Sequence, residues 1–337
     1  MLAALFPRDV GIAGHKSVIL HENFSDYTNG INTHICEEGA PAGQRWRGLR
    51  VSQYGEIEDG AMKLSLPASD TELSLGFWQW LDSSVFDTQN QPQPKVIKTT
   101  PGGYDELYLR YYQKFDVNYC VTGSNHCGPN LSASYNLKPH GQASPGHKAN
   151  GYNKLLISYE FWRGEAADTP PGKLNFYVYH PLQGGIYGDH FFPTGHISVS
   201  EGLQSAAMSL DPSFIPRPDF TPQLGKWHCY EFCVKLNTVL EEGEYHFANP
   251  SEYVMGGDRG EAVVTKKPII LHDGRITGWV DGEVVADFPG LALRYTNDLK
   301  LDDVIFSQHA KESNRENAIW YRDIVLATEY VGSIQSR

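Results

Sequence analysis

Tyr177 and Tyr179 stand two residues apart in the stretch Gly172-Lys-Leu-Asn-Phe-Tyr-Val-Tyr-His-Pro-Leu-Gln-Gly-Gly-Ile-Tyr-Gly188. Side chains on a strand alternate between its two faces, so both phenols point the same way. Just upstream, Ser158-Tyr-Glu-Phe-Trp-Arg163 reads as a second strand, joined to the first by a Gly/Pro-rich turn. Two phenols, Ser158, Glu160 and Arg163 on paired strands make a sugar-binding face and could make a proton-transfer site. The same residues also describe a sheet with ordinary aromatic cross-strand pairs.

The elements that must hold these residues are strands. Strand-like runs recur from Ser17 to Glu329, among them Ala61 to Leu66, Glu106 to Phe115, Lys154 to Trp162, Leu174 to Tyr179, Trp227 to Leu236 and Ala318 to Glu329. Turn residues punctuate them, and helical signals are scarce. That pattern predicts an all-β sandwich of two antiparallel sheets. Val280-Asp-Gly-Glu283 is a hairpin signal, because Asp-Gly suits a two-residue turn. Asp82 to Gly103, Cys120 to Asn150 and Gly185 to Gln223 read as long loops, rich in Gly, Pro, Asn, Ser and His. No internal repeat or linker divides the chain. Residues 1–337 are therefore expected to form one domain, with 1–16 as an irregular N-terminal arm.

Composition narrows the partners. The 337 residues carry a net charge of −12, which argues against nucleic acid, a ligand held by clustered Lys and Arg. No apolar run approaches the roughly 20 residues of a membrane helix, so no membrane partner is expected. Met1-Leu-Ala-Ala-Leu-Phe6 is too short for a signal peptide and lacks a charged start. The spacing of Cys120 and Cys127 permits a disulfide without requiring one. Cys229 and Cys233 share a face but lie roughly 13 Å apart along a strand, too far to bond. Cys36 has no assigned partner. No Cys/His set has zinc-finger spacing, and no cofactor is expected.

Taken in order, Tyr108-Leu-Arg-Tyr-Tyr-Gln-Lys-Phe115, Ser158-Tyr-Glu-Phe-Trp-Arg163, Tyr177-Val-Tyr179, Gly225-Lys-Trp-His-Cys-Tyr-Glu231, Gly278-Trp-Val-Asp-Gly282 and Ile319-Trp-Tyr-Arg-Asp-Ile-Val325 resemble a concanavalin A-like β-jelly roll. More narrowly, the chain resembles polysaccharide lyase family 14 and its relatives, which include alginate and polyglucuronate lyases. The resemblance covers roughly residues 100–330, and the Tyr-x-Tyr strand after a Trp-Arg strand is its most specific element. It implies that Tyr177 and Tyr179 lie in a catalytic groove with Ser158 beside them, and that the partner is an acidic polysaccharide met outside the cell. Two departures stand out. Glu160 occupies the place of an expected arginine two residues after the serine. The lysine-rich loop expected upstream is replaced by the Cys120–Cys127 segment, with Lys138 as a substitute of uncertain alignment.

β-Elimination on a uronate needs a group that neutralises the carboxylate, a base for the C5 proton and an acid for the departing oxygen. Asn125 or Arg163 can neutralise. Histidine as a residue type changes charge near neutrality, so His126 can be the base. A tyrosine can supply the acid, and one of depressed pKa could even be the base. Asn125-His126 also fits an ordinary turn pair, and Arg163 a surface ion pair.

Weaker candidates are a metal site from His180, His190 and His196, calcium ligands from Asp298, Asp302 and Asp303, and stacking on sugar by Phe77, Trp78 or Trp80. The expectation is no metal. Three functions remain open: a lyase cleaving a uronate-containing polysaccharide, a carbohydrate-binding jelly roll that does no chemistry, and a glycoside hydrolase. The last needs two carboxylates about 5 Å apart if it retains configuration. Neither Glu-x-Asp-x-Glu nor Glu-x-Asp-x-x-Glu occurs on a strand, but Glu160 and Glu231 could meet across strands.

Overall fold

Asp281 and Gly282 both take positive φ, 51° and 89°. This is the twist of a two-residue hairpin turn, and it pairs Gly274–Val280 with Glu283–Leu291. Such turns and alternating apolar residues build an almost entirely β structure. The computed structural model describes residues 1–25, 27, 30–31, 46–82, 98, 100–133, 148–164, 169–198, 209–247 and 262–335.

Two antiparallel sheets stack face to face, as in a jelly-roll sandwich. The nine-stranded sheet runs Glu283–Leu291, Gly274–Val280, His228–Lys235, Glu106–Phe115, Asn317–Ala327, Ala61–Leu66, Gly55–Glu58 and Gly30–Ile31, with Val18–Glu22 also paired to Asn317–Ala327. The eight-stranded sheet runs Ile197–Ser198, Asp189–Phe191, Lys173–Tyr179, Leu155–Trp162, Asn125–Ala133, Asp303–Ala310, Leu73–Trp80 and Arg47–Leu49. Residues 2–14 contain three short 3-10 turns. Leu2 and Ile12 pack there against Val325 and Val331.

Every second residue points between the sheets. Tyr111 and Tyr230 of one meet Phe306 and Phe161 of the other edge to face, with ring centroids 5.7 and 5.6 Å apart. Burying each large side chain stabilises the fold by about 1.5–3 kcal/mol, and each such aromatic pair adds about 0.5–1.5 kcal/mol. Phe161→Ala would therefore cost roughly 3–5 kcal/mol.

The expected loop from Cys120 to Asn150 is corrected in part: Asn125–Ala133 is a central strand. Gly128 and Pro129 disguise it, since Pro lacks a ladder donor. The ladder to Leu155–Trp162 accordingly skips those two residues, running from Cys127↔Phe161 to Asn130↔Ser158. The possible Cys120–Cys127 disulfide is absent, both thiols being free. Alternation turns Cys127 into the core, where its sulfur lies 2.9 Å from the Tyr119 hydroxyl. Phe77 is likewise a core residue, stacked on Phe306 at 5.0 Å; alternation turns Trp78 and Trp80 to the other side of the strand, where Trp80 is still buried.

Candidate active site

The outward face of the eight-stranded sheet is polar, and strand alternation decides what lines it. Cys127, Leu131 and Ala133 are core residues, so His126, Asn130 and Ser132 on the same strand face out. Tyr159 and Phe161 are core, so Ser158, Glu160 and Trp162 face out. Phe176 and Val178 are core, so Asn175, Tyr177 and Tyr179 face out. Register then sets Ser158 directly between Tyr177 and Asn130, and His190 opposite Tyr177. His309 arrives from Asp303–Ala310, opposite His126. Gly128 leaves the floor in front of Glu160 low. A Cβ there would collide with the Tyr159 carbonyl and the Glu160 backbone.

His126 occupies the centre of this face. Its Nδ1 lies 2.7 Å from Glu160 Oε1, and its ring centroid is 4.9 Å from that of Tyr177. Its side chain keeps 28% of its surface exposed, while Glu160 keeps 3%. The Tyr177 hydroxyl donates to the Tyr179 hydroxyl at 3.1 Å and accepts the Gly188 N–H at 3.2 Å. Burial pushes both phenols up: Tyr179 to about 12, with the Tyr177 hydroxyl pulling it back down, and Tyr177 further, helped by Tyr179. Both are therefore protonated near neutrality, which corrects the option of a tyrosine of depressed pKa as base. The pair is suited to give a proton.

His190 lies flat between Trp162 and Tyr177, at 3.8 and 4.5 Å between centroids. Burial pushes it well below the ordinary histidine value, with His126 adding to the shift. Burial likewise lowers His309 to about 4, followed by His126 and Lys311. Lys154 is buried, with its ammonium 4.8 Å from the Tyr179 ring centroid.

Several sequence candidates have other work. Asn125 is wholly buried because it alternates with His126 onto the core side. Its amide donates to the carbonyls of Pro171 and Phe161, at 2.9 and 3.4 Å, and its oxygen accepts the Arg163 N–H at 3.0 Å. It cannot reach a ligand on the outer face. The Arg163 guanidinium donates to the carbonyls of Val121 and Thr122, at 2.7 and 2.6 Å, tying down the preceding loop. Lys138 lies outside the described residues. Glu231 belongs to the other sheet and accepts the N–H groups of Val331 and Gly332, both at 2.7 Å; with Glu160 it forms no pair of carboxylates.

The weaker metal candidates separate as well. His180 bonds Asp189 at 3.0 Å inside the protein, whereas His190 faces the groove. Asp302 and Asp303 are buried and Asp298 is exposed. Among the described residues no group of three His, Cys, Asp or Glu side chains is arranged to hold a metal ion.

No family model matches this chain, and no curated protein matches it. The solved structure of alginate lyase Aly36B aligns with 95% of this chain and 99% of its own, at 15% identity and a TM-score of 0.52. The chain has the fold of an alginate lyase. A variant of Aly36B in complex with an alginate tetrasaccharide aligns over 94% and 99%, at 16% identity and a TM-score of 0.50. The family-14 alginate lyase from Aplysia kurodai aligns over 93% and 97%, at 12% identity and a TM-score of 0.44.

On this alginate-lyase fold, sequence reasoning missed His309, Asn175, Trp162 and Lys154. It had weighed His190 only as a metal ligand. Asn175 and Trp162 were within reach of the alternation rule, being two residues from Tyr177 and from Glu160. His309 had no local signal, since what brings it to the site is the pairing of Asp303–Ala310 with Asn125–Ala133.

Proposed function

We propose that this protein is a polysaccharide lyase that cleaves an acidic, uronate-containing polysaccharide by β-elimination. The observation that carries the proposal is the position of His126. It is a half-open imidazole 4.9 Å from Tyr177, which is hydrogen-bonded to Tyr179. A base and a proton donor thus share one polar face. His126 takes the C5 proton, the electron pair forms the C4–C5 double bond, and the C4–O bond breaks. The tyrosine pair delivers a proton to the departing oxygen. Ser158, between Tyr177 and Asn130, is placed to bind sugar hydroxyls. Lys154 supplies positive charge beside the phenols, in the role first given to Asn125 and Arg163. A polymeric acidic substrate fits action outside the cell, and the solved relative holding an alginate tetrasaccharide supports the substrate class.

The test is a panel of polyuronates, followed by the ultraviolet absorbance of the unsaturated product with reducing ends counted in parallel. Cleavage with absorbance is expected. His126→Ala should lower kcat by roughly 10²–10⁴-fold while polymer binding persists. New ends without absorbance would mean hydrolysis, and binding without any cleavage a lectin-like protein.

A further inference from the structure

Three imidazoles stand in a row across the polar face. His126 is central, with ring centroids 5.6 Å from His309 on one side and 5.6 Å from His190 on the other. Each is held at Nδ1 by a different kind of oxygen. Glu160 holds His126 at 2.7 Å, the Asn175 carboxamide holds His190 at 3.0 Å, and the Ser74 hydroxyl holds His309 at 2.8 Å. Only one of these partners carries a charge.

We propose that Glu160 is a positioning residue that selects His126, out of the three histidines, as the group that accepts the proton. A carboxylate can only accept a hydrogen bond. Its contact therefore keeps the neutral imidazole's hydrogen on Nδ1 and leaves the Nε2 lone pair for the substrate. When Nε2 takes a proton, the imidazolium forms against a buried negative charge. His190 lacks the hydrogen bond, because the same Glu160 oxygen lies 3.9 Å from its Nδ1, so only the longer-range attraction of that charge reaches it. Asn175 also donates to the Glu160 and Lys173 carbonyls, each at 3.3 Å. Those bonds turn its oxygen toward His190, but that oxygen brings no charge. The downward shifts of His190 and His309 agree with this division of labour.

The groups facing His126 are Glu160, Tyr177, His190 and His309, each from a different strand, and Lys311 adds charge beyond His309. Glu160 is the anion among them. Its presence where the resemblance led us to expect an arginine thus has a role: it serves the base rather than the sugar.

The inference rests on the lyase reading for the source of the proton, but not for the tautomer or the titration. Nitrogen-15 NMR of the histidine side chains tests it, with the His126 signal assigned by its loss in His126→Asn. In the wild type, neutral His126 should carry its hydrogen on Nδ1. In Glu160→Gln, whose amide oxygen can still accept that hydrogen, His126 should titrate about one unit lower, a roughly tenfold loss of proton affinity. The acid limb of kcat/KM on a cleaved polyuronate should move by the same amount, with KM little changed.

A hydrogen on Nε2 in the wild type, or an unchanged titration in Glu160→Gln, overturns the proposal. Should Glu160→Gln fail to fold, the wild-type tautomer decides alone. If the NMR result holds but no polyuronate is cleaved, the selection of His126 stands and the lyase reading falls.

Discussion

The Tyr177 hydroxyl donates to the Tyr179 hydroxyl at 3.1 Å, which makes Tyr179 the more acidic phenol of the pair. The two positions should therefore differ in function. Tyr179→Phe removes the proton donor itself and should lower kcat by roughly 10²–10⁴-fold. Tyr177→Phe leaves that proton in place but withdraws the bond that helps to release it, so its loss should be smaller and its pH profile shifted. Steady-state kinetics of both variants on one polymer decide the matter. Equal losses with unshifted profiles would show that the direction of the bond does not matter.

Asn125→Ala should damage the fold and spare the sugar. The substitution strands the Arg163 N–H, which Asn125 Oδ1 accepts, and removes the donor to the Pro171 carbonyl. An unsatisfied buried group costs about 1–3 kcal/mol. Urea unfolding should register that loss while KM for the polymer stays within experimental scatter. A large rise in KM at unchanged stability would return Asn125 to the substrate.

His309 should make stability fall with acid. Its folded-state pKa is lowered from 6.5 to about 4, so the unfolded chain takes up the proton first. The contribution is fully present above the ordinary histidine value. It is lost progressively as pH falls from there, and the loss is complete below about 4. His309→Gln should flatten that part of the wild-type stability profile, as measured by urea unfolding at several pH values. Parallel profiles for the two proteins would mean that the histidine is not neutral in the fold.

Much of the architecture could be read from alternation alone. Glu106–Phe115 and Ala61–Leu66 were bounded by apolar periodicity, and the Asp281-Gly282 turn by residue type. The pairing of Tyr177 and Tyr179 on one face needed only the two-residue repeat. The strand Asn125–Ala133 was not legible, because Gly128 and Pro129 imitate a loop when the neighbouring strands are unknown. Once that strand is recognised, the same repeat that unites Tyr177 with Tyr179 separates Asn125 from His126.

Sequence by itself thus determined the class of fold, the face carrying the phenols and the presence of a candidate base. Only the tertiary structure decided which residues surround that base. His126 and Glu160 are 34 residues apart, and Ser74 and His309 are 235 apart. Their meeting depends on the order and register of strands in the sheet. That order follows from burying both sheets' apolar faces at once, a property of the whole chain that no local window contains.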